Sequence, residues 1–143
     1  SAVPGGFLGE PIRQAEFVAV AARGHALHQY GRPLTVQDLA RERQIVIRDS
    51  AQDRRTDSGW LGAEQRWTVS HVATSIELVG RGLGFAWLPV SRVAAALDAG
   101  DIQALPLERG ARRYATLYLT LADPDCAGPA TRDLAGLFRS QAL

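Results

Sequence analysis

Methionine, lysine and asparagine are missing from all 143 residues, and cysteine occurs once, at Cys126. Without a methionine, Ser1 is not expected to be a native start, and the chain reads as a fragment or a processed product. Every long basic side chain is an arginine, sixteen in all. That bias is expected of a GC-rich genome, since the missing residues have A-rich codons. One cysteine excludes an internal disulfide and fits a reducing compartment; an unpaired loop thiol is its default role. No apolar run reaches the ~20 residues of a membrane-spanning helix and no secretory pattern opens the chain, so we expect a cytoplasmic protein with no membrane partner. Blocks of like charge are absent too. The net charge is +1, with arginines and acids interspersed, which argues neither for nor against nucleic acid. Internal repeats and low-complexity segments are not found.

What is present is an ordinary globular balance, 46% hydrophobic and 22% charged, in a chain long enough for one respectable core. The stretch Trp67–Leu107 organises the rest, reading strand, helix, strand, helix, strand. Trp67–Ser70 is short, apolar and β-branched. Ser70 can cap a helix over His71–Arg81, on which Val72, Ile76, Val79 and Leu83 form one apolar stripe. Gly80 and Gly82 end that helix, and Gly84–Leu88 is a buried-strand run closed by Pro89. Ser91 can cap the next helix, with Val93 and Leu97 inward and Gly100 as its left-handed stop; Ile102–Leu107 is the following strand. Strands alternating with helices of this length predict an α/β fold, a mostly parallel sheet flanked by helices.

The order SHVATSIELVGRGLGFAWLP…ALDAGDIQALPL resembles the second half of the effector-binding domain of LysR-type transcriptional regulators. In that family a helix ending in V-x-x-G-x-G precedes a strand ending in L-P, then a helix ending in G-x-I/L-x-x-L. Upstream, FVAVAARGHAL resembles the strand and His-Pro-Leu segment that opens the same half, with Ala26 where proline is usual. The resemblance runs from about Leu8 to the end, and its specificity lies in the order and spacing of all the elements together. It implies the fold of type 2 periplasmic binding proteins. It also implies a division into a crossover from a first subdomain (1–15), regulatory subdomain II (16–113), and a return strand with a C-terminal helix (114–143). The bulk of the first subdomain is not in this sequence. Neither is the winged helix-turn-helix through which such a regulator reads DNA, so any DNA partner belongs to a parent protein.

Outside the central stretch, Ser1–Ala15 carries two prolines and three glycines and reads as a crossover with little regular structure. Glu16–Ala22 is a buried strand. Thr35 and Asp38 make a capping-box variant opening a short helix, and Gln44–Arg48 is a strand. Asp49–Arg66 reads as a polar loop pinned by Trp60 and Leu61. Tyr114–Ala122 alternates as a strand, and Pro129 starts a final helix whose inner stripe is Leu134, Leu137 and Phe138. Lacking its structural partner, the chain is expected to expose apolar area on the Tyr114 strand or the terminal helix.

In open parallel sheets ligands bind beyond the carboxyl ends of the strands. That rule selects Ala22–Gly24, Arg48–Ser50, Ser70–Val72 and Leu88–Val90. The effector-binding candidates are therefore Ser70, His71, Val72, Arg48, Asp49, Ser50, Trp87 and Pro89. Ser70 can offer a hydroxyl to a carboxylate beside the free amides of a helix N-terminus, or be a plain cap. By resemblance, a Ser or Thr near this position meets the effector. His71 can donate to an anion or stay solvated; Arg48 can clamp an anion or balance Asp49 or Asp53. Asp49 and Ser50 can line the cleft or make an Asx turn, and Trp87 can reach the cleft or sit with Phe85 in the core.

The resemblance further implies a homodimer or tetramer in the parent, with Val72, Ile76, Val79 and Phe85 at a dimer contact. It implies lobes that rotate about crossovers near Glu10–Phe17 and Tyr114–Leu121. No catalytic residue, metal or cofactor is expected. His25 and His28 lack a third ligand at sensible spacing, no G-x-S-x-G occurs, and GRGLG leaves a helix for a strand where a dinucleotide loop needs the reverse. The reading is thus a regulator domain sensing a small organic anion in an inter-lobe cleft. The alternative is a transporter's solute-binding protein of the same fold, and a lyase on that fold lacks a visible acid.

Overall fold

The apolar run Phe17–Ala22 is the inner end of a 14-residue strand, β1 (Gly9–Ala22), in a computed structural model that describes residues 9–48, 60 and 62–141. A 3₁₀ turn (Ala26–Gln29) and a short helix α1 (Val36–Ala40) lead to β2 (Arg43–Ile47). Next come β3 (Gln65–Val69), α2 (Val72–Gly80), β4 (Phe85–Pro89), α3 (Val90–Ala99) and β5 (Ile102–Ala104). A long strand β6 (Arg112–Thr120) and a helix α4 (Pro129–Ser140) complete the series. The chain divides into two compact units, Glu16–Arg113 and Ser1–Ala15 with Tyr114–Leu143.

The sheet order is β3-β2-β4-β1-β5, with β6 also pairing to β1. β2 runs parallel to β3 and β4, whereas β1 is antiparallel to both β4 and β5. The sheet is therefore mixed rather than mostly parallel. The α/β alternation holds from β3 to β5, and β3 and β4 both run parallel to β2, but β1 enters from outside that unit and pairs in reverse. Its strand also begins at Gly9, so a segment rich in glycine and proline is extended where little regular structure was expected: pairing with β6 supplies partners that local propensity does not.

Period-two alternation sends two cores to opposite faces. Val18, Val20, Ala86, Leu88, Val93 and Ile102 pack under α2 and α3. Ala19, Ala21, Leu27, Leu34, Leu39, Phe85 and Leu105 fill the other face, edged by Trp60 and Trp87. On that face Ala19 is opposite Trp87 and Ala21 opposite Phe85, so the alanines make room for the rings. Phe85 and Leu88 are wholly buried, each stabilising the fold by about 1.5–3 kcal/mol. Trp60 sits 6.3 Å from Phe85 and 6.1 Å from Trp87, ring to ring, and so anchors the segment before β3. Asp49, Ser50 and Leu61 lie outside the described residues.

Helix boundaries follow the caps in some places only. Thr35 and Asp38 form the expected capping box: Asp38 Oδ2 accepts from the Thr35 amide at 2.8 Å, and Thr35 Oγ1 accepts from the Asp38 amide at 3.4 Å. The Arg32 guanidinium adds two bonds to Asp38, at 2.8 and 3.0 Å, and holds that carboxyl well below the usual carboxylate range. Gly100 stops α3 with φ 77°, as expected. Ser70 does not cap α2, because the N-cap is His71, whose side chain makes no cap hydrogen bond. Ser91 likewise falls inside α3, whose N-cap is Pro89; the fixed proline φ suits a helix entry two residues earlier than a serine signal indicates. β5 stops at Ala104, and Leu107 instead bridges Leu34.

In the smaller unit, Arg139 of α4 pairs with Glu10 of β1. The stripe expected to face inward is on the surface: Leu134, Leu137 and Phe138 are 54%, 60% and 47% exposed, and only Ala135 is buried. Tyr114, Leu117 and Tyr118 of β6 are exposed as well. One helix with two strand segments has too little mass to cover that stripe, and the exposed apolar area expected on this strand and helix is present.

Candidate functional site

The carboxyl ends of β2, β3 and β4 fall along one edge. Ile47 is opposite Val69, and the Arg48 amide donates to Val69 O at 2.7 Å, setting Arg48 beside Ser70. The parallel pairing of Gln44 with Phe85 brings the end of β2 level with Pro89. Arg48, Ser70 and His71 are exposed, Val72 and Pro89 half-buried. No side chain caps α2, so its first-turn amides face this edge without a protein partner from the cap residue. An arginine, a hydroxyl, an imidazole and a helix N-terminus are together suited to an anion. Asp49 and Ser50, which follow Arg48, lie outside the described residues.

Two expectations fail here. Ala22–Gly24 ends β1, and because β1 is antiparallel to β4 this segment lies at the opposite end of the sheet. A shallow depression of about 460 Å³ opens there, lined by residues including His25, Gly80 and Arg81. His25 Nδ1 accepts from the Leu27 amide at 3.2 Å, and its Nε2 stands 3.9 Å from Glu42. Burial holds the His25 pKa below its usual value, opposed by Glu42 and reinforced by His28. Among the described residues no three His, Cys, Asp or Glu side chains are grouped to hold a metal ion. The dimer assignment fails for Val79 and Phe85. Both are wholly buried in their own core, and β4 is hydrogen-bonded on both edges, so neither can meet a partner. Val72 and Ile76 retain partial exposure, and the strand exposed next to α2 is β3, whose Trp67 carries Arg43 at 4.2 Å over its ring.

Trp87 is neither plain core nor an open platform. Its Nε1–H donates to Gly110 O at 2.9 Å, Phe85 meets it edge-on at 5.8 Å, and the Arg113 guanidinium lies 4.0 Å over its ring. Arg113 was not among the sequence candidates. Burial lowers its pKa, the mark of a partly desolvated cation. The only advance signal was an arginine just before the alternating strand, too common to single out.

A family model described as the LysR substrate binding domain matches residues 2–143. Searched against curated proteins, the sequence has no match. Solved structures share the fold. The regulatory domain of MetR, a LysR family regulator from N. meningitidis, aligns at TM-score 0.72 and 20% identity, covering 99% of this chain and 66% of that one. The effector binding domain of QuiR, in complex with shikimate, aligns at 0.69 and 19%, covering 99% and 69%. Full-length AphB, a Vibrio cholerae virulence activator of the LTTR family, aligns at 0.70 and 13%, covering 99% of this chain, which spans half of AphB's length.

Proposed function

The chain belongs to the LysR substrate binding domain family, and from that premise we propose that it is the effector-sensing part of a DNA-binding transcriptional regulator whose effector is a small organic anion. The family match over nearly the whole chain carries the reading. In it, Glu16–Arg113 is the second regulatory subdomain, and the smaller unit is the portion of the first that this chain supplies. The effector meets the edge made by Arg48, Ser70, His71, Val72 and Pro89, with Asp49 and Ser50 following in sequence. What supports an anion is the chemistry of that edge: a guanidinium, a hydroxyl and the uncapped amides of α2. QuiR, with which the fold is shared, binds shikimate, itself a carboxylate.

The chain does no chemistry in this reading. Its effector shifts the balance between two arrangements of the regulatory domain by binding one more tightly than the other, with the lobes turning about the crossovers in β1 and β6. DNA contact and dimer or tetramer assembly belong to the parent regulator, where the exposed side of α2, with Val72 and Ile76, is available to a partner. No described helix is long and apolar enough to cross a membrane, which agrees with a cytoplasmic regulator.

A thermal-shift screen of small organic acids against the intact chain tests this. At least one acid should raise Tm saturably, and Arg48→Gln or Ser70→Ala should weaken that effect tenfold or more. A saturating ligand at about 100 times its Kd adds roughly 2.7 kcal/mol, so the shift is readily measured. If neutral sugars or amides stabilise the chain and acids do not, the anion reading is wrong.

A further inference from the structure

Among the described residues three arginines lie over aromatic rings, and they differ in what their N–H edges do. Arg32 lies over Tyr30 but sends two bonds to Asp38. Arg43 lies over Trp67 and donates to Leu83 O and Gln65 Oε1. Arg113 lies over Trp87 at 4.0 Å, and among the described residues no carboxylate or carbonyl accepts from it. Stacking uses a face of the guanidinium and leaves the in-plane donors free, which is the geometry in which arginine takes a carboxylate with two parallel bonds. Arg113 is also half-buried, so its charge has given up part of its water without gaining a counter-charge.

Its place is set by its neighbours. Ala111 O accepts from the Ala19 amide at 2.8 Å, and Arg112 pairs with Glu16, so Arg113 follows at the level of Phe17. Phe17 in turn faces Pro89 across the β1–β4 ladder. Arg113 therefore sits at the same end of the sheet as the Arg48–Ser70–Pro89 edge. Gly110, in the loop before β6, adds no side chain beside it: a Cβ built there would stand 4.0 Å from Arg113 Nε and Nη2. Trp87 is fixed by its own bond to Gly110 O, so it presents the guanidinium in a set orientation.

We propose that Arg113, held over the ring of Trp87, is an anion-binding residue that takes the carboxylate of an organic acid. The assignment deepens the sensing reading and rests on it. Trp87 is then a positioning residue acting through Arg113, and Arg48 across the edge is a second cation rather than the anchor.

The test titrates the intact chain with sodium benzoate, and with benzamide as a neutral isostere, at constant ionic strength, following the indole N–H resonances by NMR. Trp87→Phe identifies the Trp87 peak. Benzoate should move that peak saturably, benzamide should not, and Arg113→Gln should weaken benzoate at least tenfold. Arg113→Lys keeps the charge but loses the fork, so it should bind at an intermediate level; it also serves if Arg113→Gln misfolds. Equal titration of the Arg113→Gln protein, or equal effects of benzoate and benzamide, overturns the proposal. Benzoate binding lost in Arg48→Gln but kept in Arg113→Gln overturns it too, while leaving the sensing function standing.

Discussion

The glycines of GRGLG at the end of α2 should respond to alanine in three different ways, although the sequence makes them look alike. At Gly84 a built Cβ stands 2.4 Å from Arg43 O and 3.2 Å from Arg43 C, both backbone atoms of the neighbouring strand. Reaching even a tight 3.0 Å contact requires β2 and β4 to part by about 0.6 Å, the kind of overpacking that costs about 1–3 kcal/mol. The upper half of that range applies, because the obstacle is backbone and cannot swing aside. Parting the strands would also strain the Gln44–Phe85 pairing and the Arg43 bond to Leu83 O. A loss of about 2–3 kcal/mol lowers Tm by roughly 8 °C in a chain of this size. At Gly82 there is room, with Ala22 Cβ at 3.9 Å, but φ is 76°, and alanine in that region costs about 1–2 kcal/mol. At Gly80 the backbone is helical and nothing lies within 4 Å, so alanine should add about 0.5–1 kcal/mol of stability. Urea unfolding of the three variants, followed by circular dichroism, gives the ranking directly. If Gly84→Ala proves as stable as wild type, or Gly80→Ala as damaging as Gly84→Ala, the close approach of β2 to β4 is wrong.

Three further outcomes can be checked by the same unfolding assay. Ser75→Ala should raise stability at neutral pH, since the Ser75 hydroxyl is buried in α2 with no hydrogen-bond partner among the described residues and alanine is the better helix former; a lower Tm would mean the hydroxyl is satisfied. Asp38→Asn should destabilise at pH 7 and match wild type in strong acid. The folded carboxyl titrates well below its usual 3.8, chiefly through Arg32 and then the Thr35 amide, so its contribution is present above that pH and fades as pH falls through the folded value. His25 acts in the same direction at higher pH: its folded pKa is below 6.5, so the unfolded chain takes up the proton first and stability falls as pH drops from about 6.5. His25→Asn, which keeps a cap acceptor for the Leu27 amide, should flatten that slope; an unchanged slope assigns it to other groups.

The elements from β3 to β5 were legible because each is announced locally. The Val72–Ile76–Val79 stripe, the GRGLG break, the L-P strand end and the Gly100 stop each act within a few residues. Their strand and helix types come out as read, with boundaries shifted by one to three positions. Serine was a poorer guide than position. Ser70 and Ser91 both sit where a cap could be, yet the chain enters α2 from His71 and α3 from Pro89, because the preceding strand ends fix where the helical turn can begin. What no local pattern could show is the direction of β1. Its apolar run suits either a parallel or an antiparallel neighbour, and only the register Phe17–Pro89 to Ala21–Phe85 reveals that it is reversed. That one reversal moves Ala22–Gly24 away from the edge where the strand-end rule had placed it.

The same reversal explains why half of the proposed site could be read and half could not. Arg48, Ser70, His71 and Pro89 belong to the parallel run β2, β3 and β4, where the carboxyl ends must align, so counting strands was enough to group them. Arg113 reaches that end of the sheet by another route, through β5, the loop 105–111 and a strand that pairs with the reversed β1. It meets Trp87 from 26 positions away, and neither residue type predicts the other. The indole stands out in the sequence for lying near a strand end, from which it can reach the cleft or sit with Phe85 in the core. In the fold a face of its ring is already occupied by a cation, so the chemistry offered to solvent is a guanidinium edge instead of a π surface. An effector with an acid group therefore fits this place better than a neutral aromatic one, and the benzoate–benzamide comparison reads that difference at the residue responsible for it.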